Sequence, residues 1–258
     1  MFTSHSRTFR MLLTLCVVAC SSQAMSQDHP WRPIYGWGQL PEGREWGSTS
    51  AVYPGKDGTI WVGERCGQNS CVGREDVDPI LQFDTDGNLL NSFGAGLITW
   101  PHGLHVDPDG KVWVADARGE GDRGHQVWKF SPEGEELMRL GKPGVAGDGN
   151  DVFDQPSDIL VAPNGDIFVA DGHGTEGNNR IVKFDSDGNF IMTWGTTGAE
   201  AGEFRDPHAL AMDSNGRLFV GDRGNSRIQI FDQSGNWLAT WTQFGRPSGL
   251  FIDDNDML

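Results

Sequence analysis

The sequence predicts an all-β fold, and three observations carry that expectation. The chain of 258 residues holds 36 glycines, 13 prolines and 10 tryptophans, a mixture of turn formers and large aromatics that favours many short strands. One phrase returns with small variations: "WPHGLHVDPDGKVWVAD" from Trp100, "QPSDILVAPNGDIFVAD" from Gln155 and "DPHALAMDSNGRLFVGD" from Asp206. Each copy leads into a second apolar stretch and a third, all with period-two alternation, so one unit contains four short strands. That is the content of a β-propeller blade, and no amphipathic helix is needed.

The register of the units can be followed along the chain. Aligning "WVGE", "WVAD", "FVAD" and "FVGD" superposes Trp61, Trp113, Phe168 and Phe219. Three residues earlier stand Gly58, Gly110, Gly165 and Gly216, the glycines of Asp/Asn-Gly-type hairpin turns. Eleven residues earlier stand Ser50, His102, Ser157 and His208, so histidine opens only every second unit. The later strands align on Phe83, Phe130, Phe184 and Phe231, in "ILQFDTDGN", "VWKFSPEGE", "IVKFDSDGN" and "IQIFDQSGN". Arg180 and Arg227 recur in register and read as structural; His105 and His125 have no repeat partners and read as packing or surface residues.

The ends add two expectations. The segment from Pro33, "PIYGWGQLPEGREWGSTSAV", reads as an outer strand that would complete the last blade and hide a sheet edge. "RPSGLFIDDNDML" opens a fifth unit and stops one residue before its expected aromatic, so the propeller domain, taken as residues 25–258, is expected to be truncated within the fifth of six blades.

Residues 1–24 read as a signal peptide: Arg7 and Arg10 precede the short apolar run "MLLTLCVVA". Two cleavage sites stand open, a lipobox that would make Cys20 a lipid anchor and an ordinary site after Ala24. Both mean export, to the periplasm, the outside or a lipid-anchored state, and neither adds a transmembrane span. In an oxidising compartment Cys66 and Cys71, in "RCGQNSCVG", can close a small disulfide loop; a zinc pair is the alternative, with no second cysteine pair to complete it. The net charge of −16 and the absence of a polybasic stripe exclude a nucleic-acid partner. Much of that charge lies in Asp-Gly turns. A closed propeller is expected to be a monomer.

Alternation of the histidines has a geometric meaning. In a six-bladed ring, alternate blades stand about 120° apart, so residues opening their innermost strands can meet over the axis. His102 and His208 would supply two imidazoles of a three-ligand metal site with an open position, and a third is expected from blade six.

"NSRIQIF" and "NNRIVKF" resemble the NHL repeat, and the blade order, with "PHGLHVDPDGKVWVAD" and "DPHALAM", resembles the peptidyl-α-hydroxyglycine α-amidating lyase family across roughly residues 45 to 258. That resemblance implies a zinc held by three histidines, of which His102 and His208 match two. It implies that Arg65 binds the substrate carboxylate, that Leu104 lends its carbonyl to a structural calcium, and that a residue at the place of His173 acts as general base. The family has tyrosine there, so His173 either takes the proton or becomes a further metal ligand. Arg223 either faces substrate or pairs with Asp222.

Three functions are weighed. An exported lyase would cleave a carbinolamide C–N bond in a carboxylate-bearing small molecule or peptide, giving an amide and glyoxylate. A calcium-dependent lactone hydrolase on a six-bladed propeller would need carboxylate and asparagine ligands instead of paired histidines. A non-catalytic NHL scaffold would need neither.

Overall fold

The structure, a computed structural model, describes residues 32–174 and 177–258. The expected signal peptide, with the lipobox at Cys20, lies outside the described residues. A compact unit runs from Gly36 to Leu258. In chain order its strands are β1 (Thr49–Pro54), β2 (Ile60–Glu64), β3 (Ile80–Phe83), β4 (Leu89–Phe93), β5 (Pro101–Val106), β6 (Val112–Asp116), β7 (Gln126–Phe130) and β8 (Glu136–Leu140). They continue as β9 (Pro156–Val161), β10 (Ile167–Asp171), β11 (Arg180–Phe184), β12 (Phe190–Trp194), β13 (Pro207–Met212), β14 (Leu218–Asp222), β15 (Arg227–Phe231) and β16 (Trp237–Trp241).

These form four antiparallel four-stranded sheets in sequential order, β1 to β4, β5 to β8, β9 to β12 and β13 to β16, the arrangement of propeller blades. Among the described residues the only helix is a single 3-10 turn at Arg223–Asn225, and none is long and apolar enough to cross a membrane.

Apolar alternation on both faces of each sheet builds a core between successive blades. Trp61 and Ile80 of the first meet Leu104, Val114 and Trp128 of the second. Trp113 and Val127 meet Ile159, Val169 and Val182 of the third, whose Phe168 and Ile181 meet Leu210, Val220 and Phe231 of the fourth. Burying a side chain of this size stabilises the fold by roughly 1.5–3 kcal/mol. The inner strands pack closely: a Cβ on Gly103 would stand 2.6 Å from both the Asp158 Cα and the Ser157 carbonyl oxygen of the next blade.

The aligned acidic positions have a structural role that their register alone did not disclose. Glu64, Asp116, Asp171 and Asp222 are each 0 % exposed and receive the chain that leads into their own or a neighbouring inner strand. Asp116 accepts from Thr99 N at 3.0 Å and Trp100 N at 2.7 Å, immediately before Pro101 and His102. Asp222 accepts from Arg205 N at 2.8 Å, three residues before His208. Arg180 and Arg227 pair with Asp171 and Asp222 and donate to nearby carbonyls, in keeping with the structural part expected of them. In the outer turns Asp84, Asp185 and Asp232 each bond an asparagine four residues on, which accounts for part of the negative charge.

The segment after Gly36 lies against the first blade. It forms no outer strand: Trp37 and Leu40 pack on the Val62–Leu81–Phe83 cluster of the first blade, and only an isolated bridge joins Gln39 to Asn88. Trp37 and Trp46 lie 5.4 and 5.7 Å from Phe83, so aromatic burial there replaces strand pairing. Residues 246–258 form no strand, although Leu250 and Ile252 pack on the fourth blade.

Candidate metal centre

Each site histidine begins from local geometry. Proline at 101 and 207 lacks an N–H, so it suits the first position of a strand, and the next residue turns toward the axis. His102 is the second residue of β5 and His208 the second residue of β13. Their ring centroids are 4.6 Å apart, so two non-adjacent blades do bring their imidazoles together.

A third imidazole joins them. His173 stands in the loop after β10, 4.5 Å from the ring of His102 and 5.2 Å from that of His208. One nitrogen from each of the three lies within 4.8 Å of the others. Among the described residues His173, which the sequence offered as a further ligand, is the third imidazole of the cluster, and it comes from the loop after β10 and not from the start of a later blade. Its loop is held by Gly174 N, which donates to Asp206 Oδ1 at 2.9 Å, and by Gly172 N and His173 N, which both donate to Gln155 O.

The blade that follows each histidine braces it through a main-chain carbonyl. His102 Nδ1 donates to the carbonyl of Ser157 at 2.6 Å, and His208 Nδ1 to the carbonyl of Ser248 at 2.8 Å. Ser157 and Ser248 are the equivalent residues of the following units. A carbonyl only accepts, so the hydrogen belongs on Nδ1 and the lone pair on Nε2, as in metal-ligating histidines oriented by an outer partner. Ser157 in turn donates its hydroxyl to Pro207 O at 2.5 Å, tying the histidine blades together through the blade between them.

Electrostatics favour neutral imidazoles. Burial, reinforced by His208 and His173, holds His102 well below the ordinary histidine range. Burial pulls His173 down to about 4 although Asp206 opposes it, and burial likewise lowers His208. Neutral, converging nitrogen donors are what a borderline-soft divalent cation such as zinc requires, so the residues fit a tridentate metal site.

Around the triad lie the other expected residues. Cys66 and Cys71 form a disulfide, with no zinc pair. Beside it Arg65 is 9 % exposed and pairs with neither Glu64 nor Asp76: Glu64 pairs with Arg44, while Arg65 donates to Asn69 Oδ1 at 2.7 Å and Pro101 O at 3.2 Å. Burial, with Arg118 nearby, pulls the Arg65 guanidinium down to about 10. Arg223 pairs with Asp206 at 2.6 Å and not with Asp222. Asp206 therefore links Arg223 to the His173 loop, a connection that no repeat signal announces.

Leu104 lines a central cavity of about 160 Å³ with Tyr53, His105 and Asp158. His105 packs edge-on against Tyr53 at 5.0 Å, the packing part expected of it, and its Nε2 has no partner. Asp158, pushed up to about 7 by burial, is the one carboxylate lining this cavity. Calcium takes six to eight oxygens, so the described residues alone do not complete a shell at the Leu104 carbonyl.

Repeated four-stranded antiparallel sheets, arranged like propeller blades, bring three histidines together. The NHL repeat model matches residues 153–184 and 204–231. The chain is related to the amidating lyases and to NHL repeat-containing protein 3. It is 34 % identical over 200 residues to "NHL repeat-containing protein 3" of Homo sapiens, covering 75 % of this chain and 54 % of that protein. It is 33 % identical over 185 residues to a probable peptidyl-alpha-hydroxyglycine alpha-amidating lyase of Caenorhabditis elegans, covering 66 % and 51 %. The chain thus spans about half the length of these two relatives. Among solved structures, a gluconolactonase of Xanthomonas campestris superposes with TM-score 0.59 at 19 % identity, over 81 % of this chain and 66 % of its own, which bears on fold alone.

Proposed function

We propose that the chain is an exported, metal-dependent lyase that cleaves the C–N bond of a carbinolamide carrying a carboxylate, giving an amide and glyoxylate. The observation that carries this reading is the convergence of His102, His173 and His208, in a chain related to amidating lyases. The reading sets the blades in a ring of six. A divalent metal, zinc in this proposal, bound by the three imidazoles would supply Lewis-acid polarisation of a substrate oxygen.

The chain's own residues do the rest. Arg65 holds the substrate carboxylate, for which a planar guanidinium is suited. Ser157 and Ser248 carbonyls keep the Nδ1–H of His102 and His208 turned away from substrate. Asp206 and Arg223 fix the His173 loop at the mouth. The substrate hydroxyl gives its proton to solvent, its C–O bond becomes a carbonyl, the C–N bond breaks and the departing nitrogen takes a proton from solvent. His173 serves as ligand in this reading and not as the proton acceptor. The disulfide suits the oxidising compartment that export implies.

The test uses N-benzoyl-α-hydroxyglycine as substrate, with metal content measured on purified protein. Wild type should hold about one zinc per chain and release benzamide and glyoxylate, while His102→Ala loses both. A His102→Ala protein that keeps its metal and its turnover overturns the reading. A scaffold, by contrast, would hold no stoichiometric metal and would tolerate changes at all three histidines.

A further inference from the structure

Trp100 stands between the histidine triad and two arginines. Its ring lies 5.3 Å from that of His102 and 5.2 Å from that of His173. The guanidinium carbons of Arg65 and Arg118 stand 3.4 and 4.0 Å from its centroid. Stacking of this kind holds a guanidinium by its plane and leaves in-plane N–H donors for another partner. The indole is itself fixed, buried and donating to Asn69 O at 2.8 Å.

The charges around this ring are unbalanced. The chain has 36 acidic and 20 basic residues, and Arg44, Arg123, Arg180, Arg217, Arg223 and Arg227 each pair with a carboxylate. Among the described residues neither Arg65 nor Arg118 does. Arg65 uses neutral acceptors only, and Arg118 is exposed. Two like charges on one indole repel, and an anion that accepts N–H bonds from both at the edge of the ring would offset that repulsion.

We propose that Arg65 and Arg118, steadied by Trp100, form a two-guanidinium clamp for a carboxylate beside the histidine triad, with Arg118 setting the preference for an acid over a neutral end group. The identity of the anion as a substrate carboxylate rests on the lyase reading; the clamp's chemistry does not. Arg65 is the inner, buried jaw. Arg118, at the rim, is the jaw that can close on an arriving ligand.

The probes are hippurate, an acyl-glycine carboxylate, and hippuramide, its uncharged counterpart. Binding is measured by equilibrium dialysis on the full chain, both metal-stripped and zinc-loaded. Wild type should bind hippurate more tightly than hippuramide in both states. Arg118→Gln should weaken hippurate about tenfold or more, the loss of a charge-assisted bond, and leave hippuramide unchanged. Arg118→Lys, which keeps charge without the planar fork, should recover only part. The proposal is overturned if wild type does not prefer hippurate, if neither probe binds, or if Arg118→Gln binds hippurate like wild type. Preference for hippurate with no turnover of N-benzoyl-α-hydroxyglycine sinks the lyase reading and leaves the clamp; turnover with an unaffected Arg118→Gln does the reverse.

Discussion

Replacing Asp222 by asparagine tests how the buried acids place the metal centre. The carboxylate is fully buried and accepts from Arg205 N at 2.8 Å on Oδ1, and from Asn225 Nδ2 at 2.9 Å, Arg227 Nε at 2.6 Å and Gln229 Nε2 at 3.2 Å on Oδ2. An amide has one acceptor oxygen. In its better orientation that oxygen keeps the three side-chain donors, and its NH2 then faces Arg205 N–H, leaving a buried donor stranded at about 1–3 kcal/mol. Arg227 also loses its only carboxylate, although the carbonyls of Ala199, Glu200 and Glu203 still receive it. That limits the ion-pair loss to less than the ~3–5 kcal/mol typical of a broken buried pair. The expected sum is about 2–4 kcal/mol, or a urea midpoint lowered by roughly 1–2 M. Because Arg205 leads into Pro207 and His208, metal affinity should fall in parallel. An unchanged midpoint with unchanged zinc binding would refute the reasoning that this carboxylate organises the strand.

Two further predictions follow from the inner strands. Gly103→Ala would drive a methyl into the Asp158 backbone and the Ser157 carbonyl, and should cost about 1–3 kcal/mol by urea titration and weaken zinc binding, since that carbonyl braces His102. Gly63→Ala, whose nearest contact would be 3.4 Å, should be tolerated in the same assays. His105, which burial lowers to about 4, binds a proton more readily when unfolded, so the stability it permits is present above pH 6.5 and lost as pH falls toward 4. In metal-free protein, His105→Phe should flatten that decline by about 1.4 kcal/mol per pH unit within the window. Parallel stability curves for wild type and variant would contradict it.

Much of the blade plan was legible because each unit repeats its alternation, its turn glycine and its aromatics in register, and local patterns of that kind survive folding unchanged. His102 and His208 were legible for the same reason, as departures from an otherwise constant position. His173 was visible through the family resemblance, as a proton acceptor or a further ligand, and the residues alone showed only an irregular position in a glycine-rich loop. Its arrival at the triad depends on hydrogen bonds to Gln155 and Asp206, which are tertiary contacts with no sequence period. Arg118 gave no signal, since its position matters only once Trp100 has been folded beside it. The contacts of Trp37 were not legible, because aromatic residues in such a segment suit either an outer strand or a patch laid on the first blade, and alternation alone does not choose between them.

The braces on His102 and His208 are main-chain oxygens, contributed by residues whose side chains point to other tasks. No substitution at Ser157 or Ser248 can delete such an oxygen; only a change in backbone path can. The tautomer of each ligand is therefore inherited from the spacing of neighbouring wedges and not from any one codon. Apart from His173 and the Ser157 hydroxyl, side chains of the intervening wedges can change without touching these braces, provided their spines stay where they are.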